Sequence, residues 1–100
     1  MSEINGALSG LKIVACSTAQ AGTVPYMLMA DLGAEVIKIE TPGKGDNNRN
    51  SGFLEGEIGS FFETNNRGVK SLTLNLKSEN GQKILHNLIK DADVFGQNFR

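Results

Sequence analysis

Leu11–Glu40 reads LKIVACSTAQAGTVPYMLMADLGAEVIKIE, and its apolar pattern decides the fold. Leu11 to Cys16 is a short, nearly continuous apolar run after Gly10. Such a run fits a strand covered on both faces, as in parallel sheets. Ser17 to Gly22 is a loop of small residues. Thr23 is placed to cap a helix, with Pro25 in the first turn, where a missing N–H is harmless. Met27, Leu28, Leu32 and the small Ala30 supply that helix with an apolar stripe, and Gly33 follows as its stop. Glu35 to Glu40 is a second strand, rich in β-branched residues. Strand, helix and strand together form a βαβ unit, whose crossover is right-handed.

Beyond this unit, Thr41 to Gly59 (TPGKGDNNRNSGFLEGEIG) turns polar and glycine-rich. It reads as a long surface loop, a length that in compact domains goes with function or mobility. Ser60 to Asn65 carries Phe61 and Phe62 in a short helical turn. Lys70 to Leu76 alternates Leu72, Leu74 and Leu76 with polar residues, the period-two pattern of a third strand. Ser78 caps the next helix, with Glu79 favourable at its positive end. Ile84, Leu85, Leu88 and Ile89 form its buried stripe, and Asp93 to Phe99 is a fourth strand. The fold class is α/β with a mostly parallel sheet.

The totals narrow the function. One hundred residues make one small domain. Net charge is −1 and the lysines and arginines are scattered, so neither a nucleic-acid surface nor docking on anionic lipid is expected. A single cysteine, Cys16, gives no disulfide framework and no cysteine-based metal cluster, a composition suited to a reducing cytoplasm. Cys16 reads as a small buried hydrophobe, and His86 as a solvent-facing residue with no partner for a metal. Met1 to Gly10 lacks the apolar core of a signal peptide, and no run approaches the roughly 18 apolar residues of a membrane span. The chain closes on Asn98-Phe99-Arg100 directly after a strand, which reads as the first part of a longer polypeptide.

In open α/β sheets, ligands sit outside the carboxyl ends of the strands. That rule selects Ser17 to Gly22, Glu40 to Gly45, Leu74 to Lys77, and Asn98 to Arg100. The first of these leads into a helix N-terminus, whose free N–H groups suit a phosphate, carboxylate or carbonyl oxygen. A dinucleotide is the obvious candidate, and it fails. The fingerprint needs G-x-G-x-x-G after the first strand, but the stretch from Ala19 to Val24 is AQAGTV, with Gly22 alone. Glu40 falls where a ribose-binding acid would stand, but one acid at a strand end is not a fingerprint. Gly43 and Gly45 follow Pro42 and open no helix, so they form a turn.

Five stretches point elsewhere: LSGLKIV at 8–14, QAG at 20–22, MADLGAEVIKIETPGKGD at 29–46, NNRGVKSLTLNLKSENGQKIL at 65–85, and DADVFGQNFR at 91–100. Together they resemble the class III CoA-transferases, the formyl-CoA transferase or carnitine CoA-transferase family. The resemblance runs from about Leu8 to the end. It implies that residues 1–100 are the N-terminal part of a large Rossmann-like, CoA-binding domain. The whole protein would be several times longer, with two subunits threaded as linked rings into a homodimer. It also implies coenzyme A as the handle of an acyl-CoA substrate, a carboxylic acid as acceptor, and no metal. In the implied reaction an aspartate carboxylate attacks the thioester, a mixed anhydride forms, and CoA thiolate leaves and later returns, splitting one hard step into easier ones. That aspartate lies downstream of this chain. Asp31, Asp46, Asp91 and Asp93 do not match it.

The same resemblance assigns site residues. Gln20 and Ala21 match the pair beside the pantetheine and thioester, where Gln20 would orient the thioester or anhydride. Leu74, Asn75, Leu76 and Lys77 match the segment around adenine and ribose-phosphate, with Lys77 as a point charge for phosphate and the leucines acting through backbone. Asn98, Phe99 and Arg100 match the N-F motif, where the aromatic ring packs beside adenine and Asn98 bonds its edge. Thr41 stands where formyl-CoA transferase-like members carry an arginine that meets CoA phosphate, which leaves Lys44 or Arg49 as a substitute cation. On its own chemistry Arg49 reads as loop surface. Arg67-Gly68-Val69-Lys70 has one cation fewer than the family's basic run, and Thr18 replaces a histidine of one branch. Two alternatives remain: an acyl-CoA racemase of the same family, and a nucleotide-binding or oligomerisation fragment without activity of its own. The 100-residue piece alone is expected to be inactive.

Overall fold

Four strands, all parallel, lie in one sheet in the computed structural model, which describes residues 6–19, 21–50, 54–55 and 58–100. In chain order the elements are β1 (Lys12–Cys16), α1 (Val24–Asp31), β2 (Glu35–Glu40), a 3₁₀ turn over Asn47–Asn50, β3 (Leu54–Glu55), β4 (Ile58–Gly59), α2 (Ser60–Asn65), β5 (Lys70–Thr73), α3 (Glu79–Lys90) and β6 (Val94–Gln97). The sheet order is β5-β2-β1-β6, and β3 and β4 form a separate antiparallel pair. Register runs Lys12↔Glu35 to Ala15↔Lys38 between β1 and β2, and Ile13↔Val94 to Cys16↔Gln97 between β1 and β6. The chain therefore builds outward from β1 through β2 to β5, then returns to the other side of β1. The reversal places a topological switch point between β1 and β6.

Strand pleat divides the core into two layers. Ile13 and Val36, with Ala34, pack against Tyr26, Met29 and Ala30 of α1. Val14, Cys16, Ile39 and Leu74 point to the opposite face, against Leu85 and Leu88 of α3. Burying one such aliphatic side chain contributes roughly 1.5–3 kcal/mol. Burial also pushes the Cys16 thiol up from its ordinary pKa, as befits an inert packing group.

Several sequence expectations are refined. Leu28 and Leu32 do not belong to the buried stripe of α1: both are about half exposed, and Met27 is the buried residue. Thr23 occupies the N-cap, but its hydroxyl donates to the Ala19 carbonyl rather than capping a helix N–H. Gly33 stops the helix as expected, at φ +107. β5 ends at Thr73, short of Leu76, because the chain turns at Asn75. Ser78 caps α3 through its side chain, accepting from the Gly81 N–H at 3.0 Å. Of the loop expected over Thr41 to Gly59, residues 51–53 and 56–57 lie outside the described residues, and the part around Asp46 folds down onto the sheet, as described below. No helix among the described residues is long and apolar enough to cross a membrane.

Candidate functional site

The carboxyl ends of β2 and β5 are tied together one residue beyond the sheet, where the Leu74 N–H donates to the Glu40 carbonyl at 3.0 Å. The chain then turns tightly. Asn75 Oδ1 accepts from the Lys77 N–H at 3.0 Å, and the Asn75 carbonyl accepts from both the Ser78 N–H at 3.1 Å and the Ser78 hydroxyl at 2.9 Å. Gln82 Nε2 donates to the Leu76 carbonyl at 2.9 Å. These bonds hold 74–78 as one wall of a cavity of about 360 Å³. Ile39, Glu40, Thr41 and Pro42 from the end of β2, and Phe99 two residues beyond β6, complete its lining. Six expected site residues thus meet in one place: Thr41, Leu74, Asn75, Leu76, Lys77 and Phe99. Lys77 is exposed and forms no ion pair among the described residues.

The other expected residues lie apart. Asn98 faces the switch point, where its amide is occupied: Oδ1 accepts from the Thr18 N–H at 3.0 Å and Nδ2 donates to the Thr18 carbonyl at 2.8 Å. Ala21 and Arg100 are exposed and do not line the cavity. Gln20 lies outside the described residues. The loop around it is wound closely. Ser17 Oγ donates to the Gly22 carbonyl at 2.6 Å, and a Cβ on Gly22 would sit 2.4 Å from both the nitrogen and the oxygen of Thr18. Gly22 is therefore required by the turn itself, which is why a lone glycine stands there instead of a fingerprint.

Behind Thr41 lies a feature the sequence reading missed. Lys38 and Glu40 point inward from β2, only 2% and 4% exposed, on the same face as Val36. Lys38 Nζ pairs with the carboxylate of Asp46, itself fully buried, and donates to Asn66 Oδ1 at 2.9 Å. Glu40 is gripped by Arg49 at both oxygens, Nε to Oε1 at 2.8 Å and a terminal nitrogen to Oε2 at 2.7 Å. It also accepts from the Ser71 hydroxyl and from the Asp46 N–H, the latter at 2.9 Å. The Arg49 guanidinium lies 3.8 Å from the Phe62 ring centroid, a stacked cation–π contact. Two cations balance two anions, so the cluster buries charge without net excess.

The electrostatics follow from these contacts. Burial pushes the Glu40 carboxyl up, but hydrogen bonds from Arg49, Ser71 and the Asp46 backbone, with the Arg49 charge, outweigh it and hold the pKa at about 2. The Glu40 hydrogen bond raises the Arg49 pKa, against a smaller lowering by burial. Glu40 has no capacity left for a ribose hydroxyl. Arg49 is bound to Glu40 rather than lying free on the loop surface, so of the two candidate substitute cations Lys44 is the exposed one. A second, polar cleft of about 240 Å³ lies beside Thr41, lined by Lys44, Ser71, Thr73 and one side of Arg49.

Residues 8–100 match the family model for CoA-transferase family III. The chain belongs to CoA-transferase family III. Two relatives named as CoA-transferases match it. The chain is 38% identical to an acetyl-CoA:oxalate CoA-transferase of Acetobacter aceti, covering 95% of this chain and 24% of the relative. It is 40% identical to a succinyl-CoA:glutarate CoA-transferase of Homo sapiens, covering 92% of this chain and 21% of that protein. The crystal structure of a CAIB/BAIF family protein from Brucella suis superposes with a TM-score of 0.88 at 37% identity, over 96% of this chain and 26% of that one. The chain thus spans about a quarter of the length of the relatives it matches.

The arrangement sets a mainly apolar cavity, lined in part by Lys77, beside a polar cleft that shares Thr41 with it. An apolar slot with a few polar groups at its edges is the usual form of a small-molecule site. The buried ion cluster keeps the turn over 41–46 seated against β2 and β5.

Proposed function

We propose that this chain is the CoA-binding portion of an enzyme that moves coenzyme A between carboxylic acids. The observation that carries the reading is the convergence of Thr41, Leu74–Lys77 and Phe99 on one mainly apolar cavity at the carboxyl ends of the strands. Adenine packs against Phe99 and the leucine-lined wall, and Lys77 meets a phosphate. A charge-assisted contact of that kind, partly exposed, contributes roughly 1–2 kcal/mol. Lys44 supplies the second cation, taking the place of the arginine that Thr41 replaces.

In the same reading residues 1–100 belong to a larger CoA-binding domain of a cytoplasmic homodimer, and Gln20 orients the thioester carbonyl. The attacking carboxylate comes from chain beyond these residues. It adds to the thioester carbonyl, the C–S bond breaks, and the CoA thiolate leaves. The acceptor carboxylate then displaces the first acid, and the thiolate returns to the new acyl carbon. Each departure restores a carboxylate or thiolate, so no metal or redox partner enters the balance. The tips of the sheet hold the nucleotide end throughout, so the thiolate returns from a fixed tether rather than from solution.

Titration calorimetry of the full-length protein with CoA tests this. Lys77→Ala and Phe99→Ala are expected to weaken CoA binding roughly five- to thirtyfold each. CoA affinity unchanged in both variants would overturn the assignment of the cavity.

A further inference from the structure

Asp46 joins parts of the chain that the sequence keeps far apart. Its Oδ1 accepts from the Ala19 N–H at 3.3 Å and from the Asn48 N–H at 2.9 Å, while Oδ2 pairs with Lys38. Its own N–H is held by Glu40 Oε1 at 2.9 Å. One side chain thus spans the β1–α1 loop, the β2 strand and the turn that follows it. Ala19 is also the one residue other than glycine, among those described, with a positive φ, at +62. That conformation is unfavourable for alanine and persists only where surrounding contacts impose it. The contacts are present on both sides: Asp46 takes the Ala19 N–H, and the Thr23 hydroxyl binds the Ala19 carbonyl.

We propose that Asp46 is a positioning residue that fixes the β1–α1 loop, at Ala19, against the turn that follows β2. The inference rests on the reading of this site as a CoA site only for its functional consequence; the tie between the loops stands on the contacts themselves. The carboxylate does two separable jobs. It neutralises Lys38, which needs charge, and it accepts from Ala19, which needs only an oxygen. An amide at this position keeps the second job and loses the first.

Hydrogen–deuterium exchange and CoA calorimetry on the full-length protein separate them. The variants are Asp46→Asn and Asp46→Ala, both made with Lys38→Met so that neither leaves a buried ammonium without a counter-ion. Relative to the unsubstituted protein, in which Asp46 keeps its counter-ion, the alanine variant should raise exchange in the peptide spanning 17–22 at least fivefold and weaken CoA at least fivefold. The asparagine variant should stay within twofold on both measurements. Equal exchange in the asparagine and alanine variants would overturn the proposal, as would faster exchange in the alanine variant with CoA affinity unchanged. If the unsubstituted protein fails to bind CoA, the CoA reading falls, and the exchange comparison alone decides whether Asp46 holds the loop.

Discussion

Asn98 grips the backbone of Thr18 on both sides of its Cα, accepting from its N–H at 3.0 Å and donating to its carbonyl at 2.8 Å. The two residues stand 80 positions apart in sequence and close the switch point between β1 and β6. The contact is exposed, so water competes for both groups and the net worth is modest. Asn98→Ala should lower stability by about 1 kcal/mol and speed exchange of the Thr18 amide. Asn98→Asp keeps the acceptor, loses the donor and sets a carboxylate against a carbonyl, so chemical denaturation should find it at least as destabilised. An aspartate variant as stable as the parent would show that the donor half of the clamp is idle.

Glu40 gives the fold an acid limit. Its folded pKa of about 2 lies below the ordinary 4.5, so its contribution is full above about pH 4.5 and is lost as pH falls toward 2. The whole shift corresponds to about 3 kcal/mol. Unfolding free energy should therefore fall steadily across that window, and Glu40→Gln should flatten the slope there while destabilising the protein at neutral pH by leaving Arg49 without its anion. The measurement is urea unfolding at a series of pH values. An unchanged slope in the glutamine variant would place the acid sensitivity elsewhere.

The layer on the α1 side depends on a missing Cβ. A methyl on Gly96 would fall 1.8 Å from the Tyr26 hydroxyl oxygen and 2.7 Å from Cζ. Gly96 pairs with Ala15 of β1, and β6 is an edge strand of the described sheet, so part of the overlap can be relieved by an outward shift of β6. Gly96→Ala should cost about 1–3 kcal/mol by overpacking. Tyr26→Phe removes the closest atom, so in a double-mutant cycle it should recover part of that loss without restoring all of it. Purely additive effects in thermal melts would mean that Tyr26 does not press on β6.

The residues that were legible in the sequence share a cause. Local pattern sufficed for the compact apolar runs of β1 and β2 and for Leu85 and Leu88 of α3, but not for Ile84, expected in the same buried stripe and found 45% exposed. The cavity residues at 41, 74–77 and 99 followed from the carboxyl-end rule together with the family resemblance. The α1 helix, VPYMLMAD, is apolar almost all round, so nothing in its spacing told the buried Met27 from the exposed Leu28, or marked Tyr26, Met29 and Ala30 as the residues that pack against Ile13 and Val36. The Lys38–Asp46 and Glu40–Arg49 pairs were missed because each joins a strand to a loop 8 or 9 residues away, where no period connects them. A lysine at an inward position of β2, two residues after buried Val36, was the available signal. Read strictly by period two, it demands a buried anion.

Ala19 offers a separate test of how much strain the β1–α1 loop stores. At φ +62 its Cβ is unfavourable by roughly 1 kcal/mol, whereas glycine adopts this region freely. Ala19→Gly keeps the N–H that Asp46 accepts and the carbonyl that Thr23 binds, so the contacts survive. Against the relieved strain stands the larger entropy of glycine in the unfolded chain, about 0.4–1 kcal/mol. The two terms nearly cancel, and the expected change is a gain of no more than about 0.5 kcal/mol. Ala19→Val, by contrast, puts a β-branched side chain into the same backbone region and should destabilise by at least about 1 kcal/mol. Urea unfolding of the three proteins gives the ordering glycine, alanine, valine from most to least stable. A glycine variant that loses more than about 1 kcal/mol would mean that the alanine methyl makes a contact worth more than the strain it carries.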